Sequence, residues 1–542
     1  VGSALEANRA SLKDLVVRLF AGNLVARGKP LILGGTQNDT GSEAAGSRTT
    51  LDALFRRAAI RGVDAIALSD PPNRDTITGR APRQLTYAQA DRAISAFAAR
   101  LRQFGLQTDT VVALQLPNTV ESVIALLGVI RAGMIAAQLP LLWRKHDIAN
   151  ALRPLNAKAI VTASRIGPVS HAEIAMQAAA DLFPVRYVGA FGSDLPDGVV
   201  AFDDIFAAAA PDFEPPPARA GNSAEHIAVV TFDESAHGIR AVARSQKQLI
   251  AGGLGPYLEN GAVTDGKTLS AIPLGSFAGL SLTLLPWLLG GGTLSLHHAF
   301  DAQAFAAQAR DHDGGTVVLP GPALRPLTKA NSQCRPASIV ALWRAPERLA
   351  AETRWNGAAR LVDVASFGET GLIAAARGED RMPAGIAAGM IGAPRGAAGG
   401  TMVVETMRSP AGTLVLRGPM VQAAAFPSSA EAGGEPHPTP ESLGLADTGY
   451  PCRFDRDSSI FVVTAPPGGV TSIGGYRLHQ VAVDTAVAGI DSAATVVALP
   501  DAILGQRLAG SAEARDAVIQ AAKARGFNAL IAGAFEPRTK AA

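Results

Sequence analysis

A chain of 542 residues is too long for one compact domain and implies two or three. Hydrophobic residues make up 48% and charged residues only 18%, so a large core is available and a wholly disordered chain is excluded. The net charge of +2, from 49 basic and 47 acidic residues well mixed along the chain, leaves no basic footprint for nucleic acid.

Residues 1–30 carry a short amphipathic pattern, with Ser11 and Asp14 as a capping box ahead of Leu15, Val16, Leu19 and Phe20. It reads as a helix packed on the protein surface, with membrane attachment as the alternative. Glu6, Arg9, Lys13 and Asp14 interrupt any signal-peptide pattern. Residues 31–49, rich in Gly, Thr, Ser and Asn, read as a loop. From Thr50 the pattern is regular. Thr50 caps a helix with Leu51, Leu54, Phe55 and Ala58 on one face, and Thr86 opens another with Ala90, Ile94, Phe97 and Leu101, ended by Gly105. Val111 to Leu116 is a strand stopped by Pro117, Val123 to Ile130 continues as a helix, and Ala159 to Thr162 is a buried strand. This alternation predicts an α/β sheet. Ala132–Trp143 and Ala278–Phe300 are long uncharged stretches, and Gly, Pro and polar residues break both, so neither is a membrane span. Cys334 and Cys452 are far apart and lack metal-type spacing, which fits a reducing, cytoplasmic setting.

Seven short motifs follow one another in a recognisable order. Leu116-Pro117-Asn118, Gly128-Val129-Ile130-Arg131-Ala132-Gly133 and Leu139-Pro140 come first, followed by Ala271-Ile272-Pro273-Leu274 running to Gly279-Leu280. Gly392-Ala393-Pro394, Leu416-Arg417-Gly418-Pro419 and Gly474-Gly475-Tyr476-Arg477 complete the series. In that order they resemble the AMP-forming acyl-CoA synthetases and acid–CoA ligases of the adenylate-forming superfamily. Val496 to Gln506 is similar to a further segment of the same family. The resemblance implies an α/β fold in which a large N-terminal domain of mixed sheets and helices precedes a small, shortened α+β C-terminal domain. The expected division is an N-terminal extension over 1–49, an AMP-binding-like domain over 50–465 and a truncated domain over 466–542. Pro466-Pro467-Gly468-Gly469 is a linker on composition alone.

The resemblance also implies ATP and AMP with magnesium as cofactors, coenzyme A as a second substrate, and a small carboxylic or fatty acyl ligand. An acyl-carrier or other protein partner is a further implication. Adenylation needs donors for a triphosphate, a bridging cation and a lysine at the transition state. The family's glycine-rich phosphate loop corresponds here to Thr231 through Arg240, read as a turn between the strand Ile227–Val230 and a helix carrying Gln248-Leu249-Ile250. Ser235 and Gly238 are its nucleotide-binding candidates, Arg240 stands near the loop lysine's place, and Asp233 and Glu234 fall where small neutral residues belong. The adenine-side loop corresponds to Trp343-Arg344-Ala345-Pro346, giving Ala345 and Pro346 as further contacts, while Trp343 either stacks on the base or fills its pocket. The magnesium motif corresponds to Phe367-Gly368-Glu369-Thr370-Gly371: Thr370 is kept, the glutamate position is Gly371, and Glu369 is two residues away. Asp447 matches the ribose aspartate, or else forms an Asx-turn before Gly449. The hinge motif falls on Ala465, Pro466, Gly469 and Ser472, without its arginine, aspartate or lysine. Ser276 replaces a pocket histidine, and Lys540 lacks the glycine that precedes the terminal lysine.

Other chemistry is poorly represented. The nine histidines show no metal-ligand spacing, so no metal site is indicated, and His297-His298 is expected to be exposed. No nucleophile elbow occurs. Gly261 to Thr268 satisfies a phosphate-loop pattern letter for letter, but a helical pattern precedes it and a strand follows, so it is expected to be a surface turn. Three readings stay open: a degenerate homologue that no longer adenylates, an active ligase using displaced groups (Arg240, Glu369, Asp447), and a non-catalytic acyl-thioester- or acyl-carrier-binding scaffold.

Overall fold

The computed structural model describes residues 49–207, 221–235, 238–325, 335–392, 402–422, 444–501 and 504–537, with 213 and 216 singly. The expected helix within 1–30, Cys334, Ala393-Pro394 and Lys540 lie outside the described residues.

Two large sheets organise the chain. One has seven strands in the spatial order Val200–Ala201, Tyr187–Phe191, Ala159–Ala163, Val111–Gln115, Ile135–Gln138, Ile227–Ser235 and Gly238–Ser245; all pairs are parallel except the last. The other has eight, with a parallel centre and antiparallel edge pairs at Arg360–Ser366/Leu372–Ala376 and Ile66–Ser69/Gln84–Thr86. Six antiparallel strands between Ile386 and Val463 form a third sheet. The fourth is antiparallel, in the order Tyr476–His479, Val470–Ile473, Gly505–Ser511 and Thr495–Asp501, with the helices Gln480–Ala488, Arg515–Arg525 and Ala529–Gly533 packed beside it. The α/β architecture expected from the alternating pattern is therefore present.

Helices between the two large sheets build the main core. Thr86 caps the helix Tyr87–Gln103 with a full capping box, its hydroxyl accepting from the Gln89 N–H while the Gln89 side chain accepts from the Thr86 N–H. That helix lies against strands of the eight-stranded sheet and against the helix Val120–Arg131, which in turn lies on strands of the seven-stranded sheet. Enclosed in this way, all residues of Val120–Arg131 are buried, including its two charges. Both are paired: Glu121 accepts from Arg83 at 3.0 Å and from Arg74, and Arg131 reaches Asp52 at 2.7 Å and Asp91 at 2.7 Å. Gly128 permits the close approach of the two helices, since a Cβ there would sit 2.6 Å from a Phe97 ring carbon. A motif glycine thus serves packing.

Candidate functional site

The segment that corresponds to the phosphate loop is a β-hairpin. The strand Ile227–Ser235 pairs with Gly238–Ser245 in a continuous antiparallel ladder that includes Thr231↔Val242, Asp233↔Arg240 and Ser235↔Gly238. The expected turn over Thr231 to Arg240 is corrected, since Thr231–Ser235 and 238–240 lie in the two strands, whereas the expected helix carrying Gln248-Leu249-Ile250 is present, starting at Gln246 and capped by Ser245. The cause is the alternation of Ile239, Ala241 and Ala243, which pack with Ile227, Val230 and Phe232 in one cluster. Ladder pairing has a chemical consequence. In an antiparallel pair alternate N–H groups enter the ladder and the rest point the opposite way, so successive N–H groups cannot converge on one ligand as those of a phosphate loop do.

Asp233 and Glu234 both accept hydrogen bonds from the small C-terminal sheet. The Arg477 guanidinium donates to Asp233 Oδ2 at 2.9 Å, and the Glu369 backbone N–H donates to the same oxygen at 3.1 Å. The Tyr476 hydroxyl donates to Glu234 Oε1 at 3.0 Å and the His479 backbone N–H to Oε2 at 3.2 Å. Tyr476 is itself fixed from both sides, accepting from Trp143 Nε1 and from Asn528 Nδ2. Burial raises the Glu234 carboxyl above its ordinary pKa, and burial beside Glu234 and Asp147 raises the Tyr476 phenol. The Gly368 turn lies flush against this cluster: a Cβ there would fall 1.6 Å from Arg477 Nη1 and 2.6 Å from Asp233 Oδ2.

Glu369 and Thr370 occupy the turn after the strand Arg360–Ser366, and both are buried. The Glu369 carboxylate accepts from the Phe277 backbone N–H at 2.9 Å and lies 3.9 Å from Arg244. Arg244, fully buried, lies over the Phe277 ring at 3.8 Å and donates to the Glu369 carbonyl. Burial, partly offset by Arg244, pushes the Glu369 carboxyl up. At the position that corresponds to the family's metal glutamate, a Cβ on Gly371 would meet Leu416 Cδ1 at 3.1 Å, with Val421 and Met420 next to it. That surface is apolar.

The remaining candidates are dispersed. Arg240 is 40% exposed and lies 3.9 Å from Asp233. Ser235 donates to the Gly238 carbonyl at 3.0 Å across the hairpin end. Ala345 and Pro346 open a 3₁₀ turn, Pro346–Ala351, after the strand Ser338–Trp343. Trp343 is buried in the core below Gly321 and donates to Asp363 at 2.8 Å, so it fills space in the core. Asp447 is exposed, accepting from the Gly449 N–H at 2.9 Å and from the Thr413 hydroxyl at 2.7 Å, which is the Asx-turn arrangement. His297, expected to be exposed, is buried and held by Gln308 at 3.0 Å, because its strand end continues under the helix Ala302–Arg310. Lys267 and Thr268 of the phosphate-loop look-alike begin the strand Lys267–Ser270, which pairs with Thr293–Leu296.

A cavity of about 420 Å³ lies between the hairpin and the C-terminal sheet. Its apolar wall includes Leu139, Leu141, Leu142, Phe232, Leu504 and Leu530, and its polar wall includes Asp233, Glu234, Ser276, Arg344, Glu369 and Arg477. The volume lies in the range of ~300–1,000 Å³ usual for small-molecule sites. Arg344 and Tyr476 were not legible as functional residues in the sequence, and Arg477 was visible only as part of a motif.

The residues present do not fit a magnesium triphosphate. By the resemblance Asp233 and Glu234 correspond to phosphate-loop residues, and a phosphate held about 4 Å from either carboxylate would be repelled by roughly 4 kcal/mol per charge pair at an effective dielectric of 20. Only alternate N–H groups of the hairpin enter its ladder, so none converge as a loop's would, Arg477 covers Gly368, and the position that corresponds to the metal glutamate faces Leu416.

Residues 55–421, more than half of the chain, match the AMP-binding enzyme family. Among curated proteins the chain is similar to a salicyl-AMP ligase / salicyl-S-ArCP synthetase of Mycobacterium tuberculosis, at 29% identity over 33% of this chain and 30% of that protein. It is also similar to a long-chain-fatty-acid–CoA ligase of Yersinia pestis, at 34% identity over 21% of this chain and 19% of that protein. The matched segments thus span less than a third of either relative's length. Among solved structures, an amide bond synthetase from Marinactinospora thermotolerans superposes with a TM-score of 0.62 at 19% identity, covering 88% of this chain and 94% of that one. A Bacillus subtilis o-succinylbenzoate CoA synthetase gives 0.61 at 16% identity, covering 84% and 87%. At such identities the likeness shows the fold alone.

Proposed function

The chain belongs to the AMP-binding enzyme family, and from that premise we propose that it is an acid–CoA ligase-like protein that holds a carboxylic or fatty acyl ligand without activating it by adenylation. One observation carries this reading: the two carboxylates at the phosphate position, Asp233 and Glu234, are both engaged by Arg477, Tyr476 and His479 of the C-terminal sheet. Binding ATP there would require those contacts to break and two carboxylates to face a polyanion. The cavity beside them keeps an apolar wall with a polar end, which suits an amphipathic acid.

A second reading is an active ligase in which Arg240 serves for the loop lysine, Glu369 for the metal carboxylate and Asp447 for the ribose contact. Its support is Arg240, which is 40% exposed beside the hairpin. Glu369 and Asp447 argue against it, since both carboxylates are committed within the fold.

Calorimetry with Mg-ATP and with AMP, together with ATP–pyrophosphate exchange in the presence of octanoate, decanoate and benzoate, separates the two. The expected result is no nucleotide heat below millimolar concentration and no exchange above background. Micromolar Mg-ATP binding, or acid-dependent exchange, would sink the proposal in favour of the ligase.

A further inference from the structure

Among the cations that line the cavity, Arg344 alone lacks a carboxylate partner within ion-pair distance among the described residues. Its Nη2 donates to Ser276 Oγ at 2.8 Å and its Nη1 to the Gly475 carbonyl at 3.4 Å, both neutral acceptors. Arg477 is paired with Asp233, and the buried Arg244 behind the wall is paired with Glu369. The side chain lies across Gly475, where a Cβ would come within 2.1 Å of Arg344 Cδ, so the guanidinium is pinned between the Ser276 turn and the C-terminal sheet. Burial depresses its pKa, with Glu369 opposing. A guanidinium still remains charged at any physiological pH. A desolvated, unmatched charge on a cavity wall is costly unless an anion completes it.

We propose that Arg344 anchors the carboxylate of a free, monoanionic amphipathic acid, whose apolar part runs along Leu141, Leu142, Leu504 and Leu530. This rests on the reading that the cavity is an acyl-ligand site, and it adds the head-group residue and the charge state of the ligand. A guanidinium offers a carboxylate two parallel N–H donors, and three of the five donors of Arg344 have no protein acceptor among the described residues. Arg344 offers one guanidinium unpaired among the described residues, while Asp233, Glu234 and Glu369 also line the cavity, so a monoanion is favoured over a more highly charged ligand. A phosphate dianion would bring a second negative charge towards Asp233 and Glu369, and the neutral carbonyl of a thioester would give the guanidinium no carboxylate to pair with.

Octanoate, decanoate and 4-butylbenzoate are titrated into the full chain and into Arg344→Gln and Arg344→Lys, beside 1-octanol, octanoyl-CoA and inorganic phosphate. The wild type is expected to bind the acids, with affinity falling about 10- to 100-fold in R344Q, the loss of one charge-assisted contact pair, and partly restored in R344K. Binding of 1-octanol should be equal in all three proteins, which also establishes that the cavity of R344Q is intact. Acids and 1-octanol binding alike, with R344Q unchanged, would overturn the role of Arg344 and leave the cavity reading standing. No binding of any acid or of the alcohol to the wild type would overturn the cavity reading and this inference together. Arg344-dependent binding of phosphate, or a preference for octanoyl-CoA that survives R344Q, would refute the free-acid assignment alone.

Discussion

The contact between Asp233 and Arg477 joins residues 244 apart in sequence and is an ion pair between the hairpin and the C-terminal sheet. At 2.9 Å its gross attraction is about 6 kcal/mol for an effective dielectric of 20. Both side chains are largely desolvated, at 13% and 6% exposure, so most of that offsets the cost of taking two charges out of water. Asp233→Ala removes the acceptor of Arg477, of the Glu369 N–H and of the Glu234 N–H together, leaving a charge and two amides without that partner. The expected loss is about 3 kcal/mol, the lower end for breaking one side of a buried pair. Arg477→Ala leaves Asp233 with the Glu369 N–H and with Arg240 at 3.9 Å, so its cost should be smaller, about 2 kcal/mol.

The double variant D233A/R477A should cost about 3 kcal/mol rather than the sum of the two, giving a coupling of about 2 kcal/mol. Urea unfolding of the four proteins measures it. Limited proteolysis at Pro466–Gly469 reports whether the C-terminal sheet has been released, and cleavage should accelerate in D233A. Additive effects within about 0.5 kcal/mol, or an unchanged cleavage rate, would refute the idea that the carboxylates at the phosphate position hold the two parts together.

Asp147 gives a prediction of opposite sign to the usual carboxylate. Burial first, and the nearby Glu234 charge next, raise its pKa from 3.8 to about 7, against the Arg144 N–H bond and charge that lower it. The native state therefore holds the proton that the unfolded chain has lost, so this contribution is complete below pH 4 and disappears as pH rises through 7. Asp147→Asn should flatten that decline between pH 4 and 7 by about 2 kcal/mol, half of what the shift carries at 1.36 kcal/mol per unit because the side chain is only partly enclosed. Thermal melts across the window check it, and parallel curves for the two proteins would show that Asp147 does not titrate there. Asp447→Ala should lower stability by about 1 kcal/mol or less, through loss of the Thr413 and Gly449 contacts, and leave AMP titrations as in the wild type. An AMP affinity present in the wild type and lost in D447A would restore the ribose role.

Local signals in the sequence carry the helices Leu51–Arg61 and Tyr87–Gln103 because their caps and apolar faces lie within a few residues of one another. The hairpin has the same kind of signal, since Ile239, Ala241 and Ala243 alternate as a half-buried strand should. It was obscured by the match of the same residues to a loop-and-helix motif, and a motif fixes the order of residues without fixing what the backbone does. The site itself is of another kind. Asp233 and Glu234 look in isolation like a defect in a phosphate loop, because the residues that satisfy them lie beyond Gly475. Arg477 and Tyr476 sit inside a retained motif, and Arg344 follows a tryptophan that belongs to the core; none of the three shows by itself what it faces. Charge is legible residue by residue, but compensation is a property of pairs that only the fold brings together. For that reason departures from the family's phosphate, metal and hinge motifs do not by themselves describe a damaged enzyme. Two acceptors on the hairpin and three donors on a small sheet form a complementary set, and complementarity across 244 residues is what a structural link requires.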